Sequence, residues 1–274
     1  MGRILNEYKE KYFKNYSTRN MIVYLTLRFL VILTLIRQII HGNWNNVFLC
    51  VLTLILFLAP DFIDKKLNIK LPDLLQIMIL LFIFAAEILG EINEFYIAIP
   101  HWDLILHTIN GFLCAAIGFA SIDILNQKDF FHKIMSPWFV AVVAFSFSMT
   151  VGILWEFFEF GVDKILLKDM QKDTIINTIS SVELDPEKKN NSIVIENIKK
   201  TVIYSVDKNG NEVETIIDGG YMDIGINDTI EDLLVNFIGA VVFSCLGMLY
   251  VKNRDKYKFT ENFIPKLKTN VTKS

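Results

Sequence analysis

The chain has 274 residues, 53% of them hydrophobic, with 22 Phe, 27 Lys or Arg, 30 Asp or Glu and a formal net charge of −3. Its mean hydropathy is +0.40. Nucleic acid is not expected as a partner, because the basic tails most simply set topology and touch anionic lipid.

Residues 1–20 form a polar tail with Arg3, Lys9, Lys11, Lys14 and Arg19. Ile4, Leu5, Tyr8, Tyr12 and Phe13 fall on one side of a helix drawn over 3–16, which predicts an interfacial segment. No small-residue cleavage site follows the first apolar run, so no cleavable signal peptide is expected. Apolar stretches of spanning length then recur at 21–41, 46–62, 74–96, 103–125, 138–160 and 230–251. A bilayer-crossing helix needs about 20 mostly apolar residues. The fold class expected is therefore all-α, a polytopic membrane helix bundle of six spans.

Lys and Arg fall in alternate connections. Lys65, Lys66 and Lys70 follow the second stretch, Lys128 and Lys133 follow the fourth, and Lys252, Arg254, Lys256, Lys258, Lys266, Lys268 and Lys273 follow the sixth. The loops 42–46 and 97–102 carry none. The positive-inside bias then predicts a multi-pass protein of the bacterial cytoplasmic (inner) membrane with both termini cytoplasmic. The domain plan is a tail at 1–20, five spans within 21–167, a polar extracytoplasmic insertion at 168–227, a sixth span at 228–252 and a basic tail at 253–274. Within the insertion, Lys199–Asp207 and Glu212–Asp218 flank Asn209-Gly210, a β-hairpin pattern. Cys50, Cys114 and Cys245 all fall within spans and are expected to pack, with no disulfide or zinc site.

Three polar motifs interrupt the apolar sequence: Asp103-x3-His107-x3-Gly111, Trp155-Glu156-x2-Glu159, and Asp228-x3-Asp232-x3-Asn236-x2-Gly239. Spacings of three and four place each set on one helix face. By the predicted topology all three face the extracytoplasmic end. Asp103, Glu159 and Asp228 form a shallow layer, with His107, Glu156 and Asp232 one turn, about 6 Å, deeper. Each intramembrane charge costs roughly 2.5–3.5 kcal/mol on insertion scales, which disfavours lipid-facing placement. Glu87, Glu91 and Arg37 sit at the same end, while Arg28 lies deeper and calls for a carboxylate from another helix.

These motifs support a shared site. Carboxylates with one His suit a divalent metal such as Zn, Mn or Mg, with His107, Asp103, Glu156, Asp232 and Asp228 as candidate ligands. In an enzyme, Glu156 or Glu159 would serve as general base and His107 as ligand or general acid, so these three are the catalytic candidates. Intramembrane acids and His are equally the parts of a proton- or cation-linked transporter. A non-catalytic scaffold held by buried ionic contacts is the third reading. The implied partners are the lipid bilayer and a lipid-linked or small-molecule ligand.

In Asp103-Leu-Ile-Leu-His107-Thr-Ile-Asn-Gly111, Glu156-Phe-Phe-Glu159 and Asp228-x3-Asp232-x6-Gly239-Ala240, the chain resembles the YjdF-type bacterial inner-membrane proteins, a family of uncharacterised function. Leu89-Gly90-Glu91 and Pro100 extend the likeness into the third span. Ser121–Leu125 lacks the Arg-Glu pair frequent in that pattern, and the insertion is longer. A fainter similarity to VanZ-like membrane proteins implies envelope lipids or wall precursors as the substrate class.

Overall fold

The computed structural model describes residues 17–66, 69–127 and 135–267. The expected interfacial helix at 3–16, Lys128, Lys133 and the chain beyond 267 lie outside the described residues. The described chain divides into two compact units, 1–153 with 232–274, and 154–231.

The six predicted spans are all helical. In chain order the helices are α1 (Thr18–His41), α2 (Trp44–Leu56), α3 (Ala59–Lys66), α4 (Asp73–Phe84), α5 (Phe95–Ala98), α6 (Trp102–Gln127), α7 (Pro137–Leu166) and α8 (Ile226–Lys252). Candidate membrane crossings are Thr18–His41, Trp44–Lys66, Asp73–Ile92, Trp102–Leu125, Pro137–Leu166 and Ile226–Lys252. Large apolar side chains cover the outside, including Phe29, Ile40 and Trp138, while Asn20, Thr53, Ser148 and Asp232 are buried. A water-facing surface would not favour that inversion, whereas a lipid-facing one does.

Local chemistry sets the helix ends. The Ser17 side chain accepts the Asn20 amide at 3.2 Å to start α1. Gly42 ends it in the left-handed region (φ 70), and the Gly42 and Asn43 amides donate to Ile39 and Gln38 carbonyls. The Asn43 side chain then caps α2, so the turn between two spans needs only Gly42 and Asn43. Helix α4 runs on into a π-helical segment, Ala85–Ile92, which carries Glu87 and Glu91. The ring of Tyr96 lies where a Cβ on Gly90 would sit, which requires glycine there.

Arg28 donates to the Tyr24 hydroxyl at 2.6 Å and lies over the same ring at 5.7 Å. Its partner is thus a phenol one turn away, not the carboxylate of another helix that the sequence suggested. The guanidinium reaches a polar group on its own helix without crossing to a neighbour.

In the first unit α6 and α8 run parallel. His107 faces Asp232, Gly111 abuts Asn236, Gly239 abuts Thr108 and Phe112, and Gly247 abuts Phe119. Position numbers rise together along both helices. The early residues of α7 pack the opposite way, with Ser148 donating to the Gly111 carbonyl at 2.7 Å and Phe147 lying against Gly118. Below the polar layer, Phe112, Phe119, Phe243 and Phe263 join through edge-on ring contacts, with centroids 5.0 Å apart for Phe112–Phe243 and 5.1 Å for Phe112–Phe263.

Phe263 comes from a short 3-10 segment, Lys258–Phe263, beyond the sixth span. The sequence suggested only a basic tail there, yet Phe263 and Ile264 are buried in the aromatic cluster. Strand β8 (Lys266–Leu267) pairs antiparallel with β1 (Ile69–Lys70), and Arg254 holds Asp123 at 2.6 Å. The segment therefore fills the space among α4, α6 and α8. Phe263→Ala is expected to cost about 3–5 kcal/mol by leaving a cavity in a packed core, read as a lowered midpoint of thermal unfolding in detergent.

The second unit contains three small antiparallel pairs: β2 (Ile175–Ile176) with β7 (Tyr221–Met222), β3 (Ile179–Ser181) with β4 (Ile193–Ile195), and β5 (Lys200–Val206) with β6 (Glu212–Asp218). The last is the hairpin expected from sequence. Its loop turns on Gly210 at φ 86, with the Asp207 carboxylate accepting the Asn209 and Asn211 amides.

Asp223 accepts the Thr174 amide and hydroxyl, both at 2.8 Å, and the Asn227 amide at 3.0 Å. Burial raises its pKa, but these donors outweigh that and hold it below the ordinary carboxylate value. Asp185 is lowered chiefly by the Asn191 amide, with Glu187 and Lys189 amides adding to it. Stability from such groups is complete above the ordinary carboxylate pKa of about 3.9 and disappears as pH falls through the lowered folded values. Amide-exchange protection at Thr174, Asn191 and Asn227 is thus expected to hold at pH 5 and to be lost on acidification below about 3.9. Unchanged protection through that range would show that the loops do not depend on these carboxylates.

Candidate cation site

Helix α6 begins at Trp102, and Asp103 and His107 follow at a spacing of one turn. The His107 Nε2 lies 3.5 Å from an Asp103 oxygen and 3.6 Å from an oxygen of Asp232 on α8. One ligand atom from each of Asp103, His107 and Asp232 can be chosen so that all three lie within 4.8 Å of one another. Asp232 is fully buried, His107 nearly so, and the Asp103 side chain keeps 29% of its exposure. The arrangement is a closed inner end with one half-open acid at its rim.

Glycine explains how two helices bring these residues so close. A Cβ on Gly239 would stand 2.1 Å from the Thr108 carbonyl oxygen, and one on Gly111 would stand 2.2 Å from that of Asn236. The backbones of α6 and α8 are in direct contact one to two turns below His107 and Asp232. Small residues permit such crossings in membrane bundles. On α7 the same device recurs, because Gly152 meets the Asn236 side chain.

Asn236 lies one turn below Asp232 and is fully buried. Its Nδ2 reaches only the Met149 sulfur, at 3.6 Å, and its Oδ1 has no hydrogen-bond donor among the described residues. The Trp102 indole N–H is likewise buried without an acceptor among the described residues. Buried polar atoms are ordinarily satisfied, so each such atom calls for an explanation.

The remaining predicted site residues belong to the second unit. Glu156 and Glu159 are both buried on α7. The Trp155 indole donates to Glu159 at 2.8 Å, one turn along the same helix. Asp228 accepts the Lys172 amide at 2.8 Å, so one of its oxygens already serves the backbone of its own unit. Asp163, one turn beyond Glu159 on α7, accepts the Met170 and Gln171 amides and folds the chain back after the helix. Ser148, Met149 and Gly152 were not singled out from sequence, although Ser148-x3-Gly152-x3-Glu156 has the helical spacing that would have found two of them. Cys50 and Cys114 are buried, as packing residues are, whereas Cys245 is exposed on its helix and does not pack as expected.

The profile of the family described as "Predicted membrane protein (DUF2238)" matches residues 21–253. The chain belongs to this family. The match runs from the first span to the last, through all three polar motifs of this family member. An uncharacterised protein of Thermotoga maritima is similar at 30% identity over 108 residues, 39% of this chain and 54% of that protein. The match therefore spans about half the length of that relative. No solved structure matches the chain.

Proposed function

We propose that the protein holds a divalent cation at the extracytoplasmic end of an inner-membrane bundle and uses it on a lipid-linked phosphate or acyl group of the envelope. The observation that carries this is the buried convergence of His107 with two carboxylates, Asp103 and Asp232, from different helices. A cation balances the two acids in a place where their charge is otherwise costly. A bound divalent ion would polarise the scissile group. Glu156 and Glu159 enter this reading through sequence spacing. By that reading Glu156 or Glu159 is the candidate general base that takes a proton from water. The half-exposed Asp103 gives the side of entry. The envelope substrate class rests on the YjdF-type and VanZ-like resemblances alone.

A proton- or cation-linked transporter would need a polar path through the inner half. That half is filled by Phe112, Phe119, Phe243 and Phe263, which favours a one-sided site over a through-path. A scaffold would need no ion at all.

The test uses protein in proteoliposomes containing an undecaprenyl pyrophosphate lipid. Phosphate release with added Mn2+ or Zn2+, abolished by chelator on the extracytoplasmic side and by E156Q, is the result expected. Metal binding without turnover would move the reading to transport or scaffold. Absence of metal binding would end it. Single cysteines replacing Lys66 and Asn209 report the topology in the same vesicles, with Asn209 labelled from the extracytoplasmic side and Lys66 protected.

A further inference from the structure

Resting on the cation site above, we propose that Asn236 is its inner ligand, through Oδ1, and that the site therefore takes a six-coordinate, oxygen-preferring divalent ion of the Mn2+ and Mg2+ class over four-coordinate Zn2+. Three observations lead there. First, Asn236 occupies the Asp232 stripe of α8 one turn deeper, where its backbone presses on Gly111, itself one turn deeper than His107. It therefore lies one turn below the His107–Asp232 contact on both helices. Second, Cα–Cβ bonds in a helix tilt toward its N-terminus. For α8 that direction leads from Asn236 toward Asp232, so the amide leans toward the site. Third, the amide is half satisfied. The amide lies over Gly152 with Nδ2 turned to Met149, while the fully buried Oδ1 has no donor among the described residues. With Nδ2 set against the Met149 thioether, Oδ1 is the amide atom left for a ligand.

A buried carbonyl oxygen without a donor is a cation ligand in waiting. With it the donor set becomes three oxygen residues, Asp103, Asp232 and Asn236, and one imidazole. Carboxylate and carbonyl oxygens suit Mn2+ and Mg2+, whereas Zn2+ favours nitrogen and sulfur in a tetrahedron. Zn2+ completes a tetrahedral shell from His107, the two carboxylates and one water, without Asn236. An octahedral ion that takes all four protein ligands would keep two positions for water and substrate.

Titrating full-length protein in nanodiscs with Mn2+ followed by electron paramagnetic resonance, and with Zn2+ by calorimetry, tests this. Wild type is expected to bind Mn2+ at one site, N236A to bind it about tenfold more weakly or worse, and N236A to keep Zn2+ affinity within about twofold. N236D supplies a carboxylate oxygen in the same place and is expected to bind Mn2+ at least as tightly as wild type. This variant decides the matter if N236A does not fold. Unchanged Mn2+ affinity in N236A, or lost Mn2+ binding in folded N236D, would overturn the assignment while H107A still marks the site as real. Failure of wild type to bind either ion would instead remove the cation site itself.

Discussion

Asp232→Ala and His107→Ala are each expected to lower divalent-cation affinity by at least about 100-fold while leaving the helical bundle folded. Outer supporting residues of metal sites typically cost 10–100-fold when removed, so loss of a direct ligand should cost at least the upper end. Asp232 is fully buried, with His107 at 3.6 Å. Asp232→Ala should abolish metal-dependent stabilisation. Ligand linkage adds about 2.7 kcal/mol at a hundredfold excess over Kd, so the wild type should gain a clear shift in melting temperature with saturating metal and the variant none. A scaffold reading makes the opposite prediction. If His107–Asp232 merely ties α6 to α8, Asp232→Ala destabilises the apo protein and metal changes nothing.

Gly239→Ala should reduce stability by about 1–3 kcal/mol, the usual cost of overpacking, and weaken metal binding in parallel. The added methyl would meet the Thr108 carbonyl at 2.1 Å and the Phe112 amide at 2.8 Å. Both are backbone atoms of a helix, so no side chain can swing aside, and α8 must move away from α6. The movement separates Asp232 from His107, whose contact lies about two turns along the same crossing. Gly239→Leu should yield no folded protein. Gly161, with open space around its Cβ position, is the control, since Gly161→Ala should be neutral or better in a helix interior. Equal tolerance at both positions, measured by thermal unfolding in detergent, would contradict the close α6–α8 crossing.

Much of this was legible in the sequence because membrane segments state their needs simply. Twenty apolar residues imply a span, and all six expected spans are helices. The Asp103–His107 and Asp232–Asn236 stripes follow from a spacing of four. The hairpin around Asn209-Gly210 follows from turn chemistry. Other features depend on packing that no local pattern announces. Phe263 and Ile264 sit in a short stretch among charged residues, without helical periodicity, and only the structure shows them filling the aromatic core. Arg28 needed a polar partner, and whether that came from its own helix or another was a question of distance. Asp228 shares the Asp232 stripe, yet the Lys172 amide 56 residues earlier in the chain takes one of its oxygens. Ser148 and Gly152 looked like ordinary small residues of a membrane helix until Gly111 and Asn236 were found opposite them.

The central claim is that His107, Asp103 and Asp232 converge to hold a divalent ion. Metal content of the full-length protein, purified without chelator from cells grown in ordinary medium and measured by mass spectrometry against His107→Ala, tests it most directly. The account predicts near-stoichiometric Mn, Zn or Mg in the wild type and its loss in folded His107→Ala. Equal, trace metal in both proteins, persisting after dialysis against each ion, would contradict it.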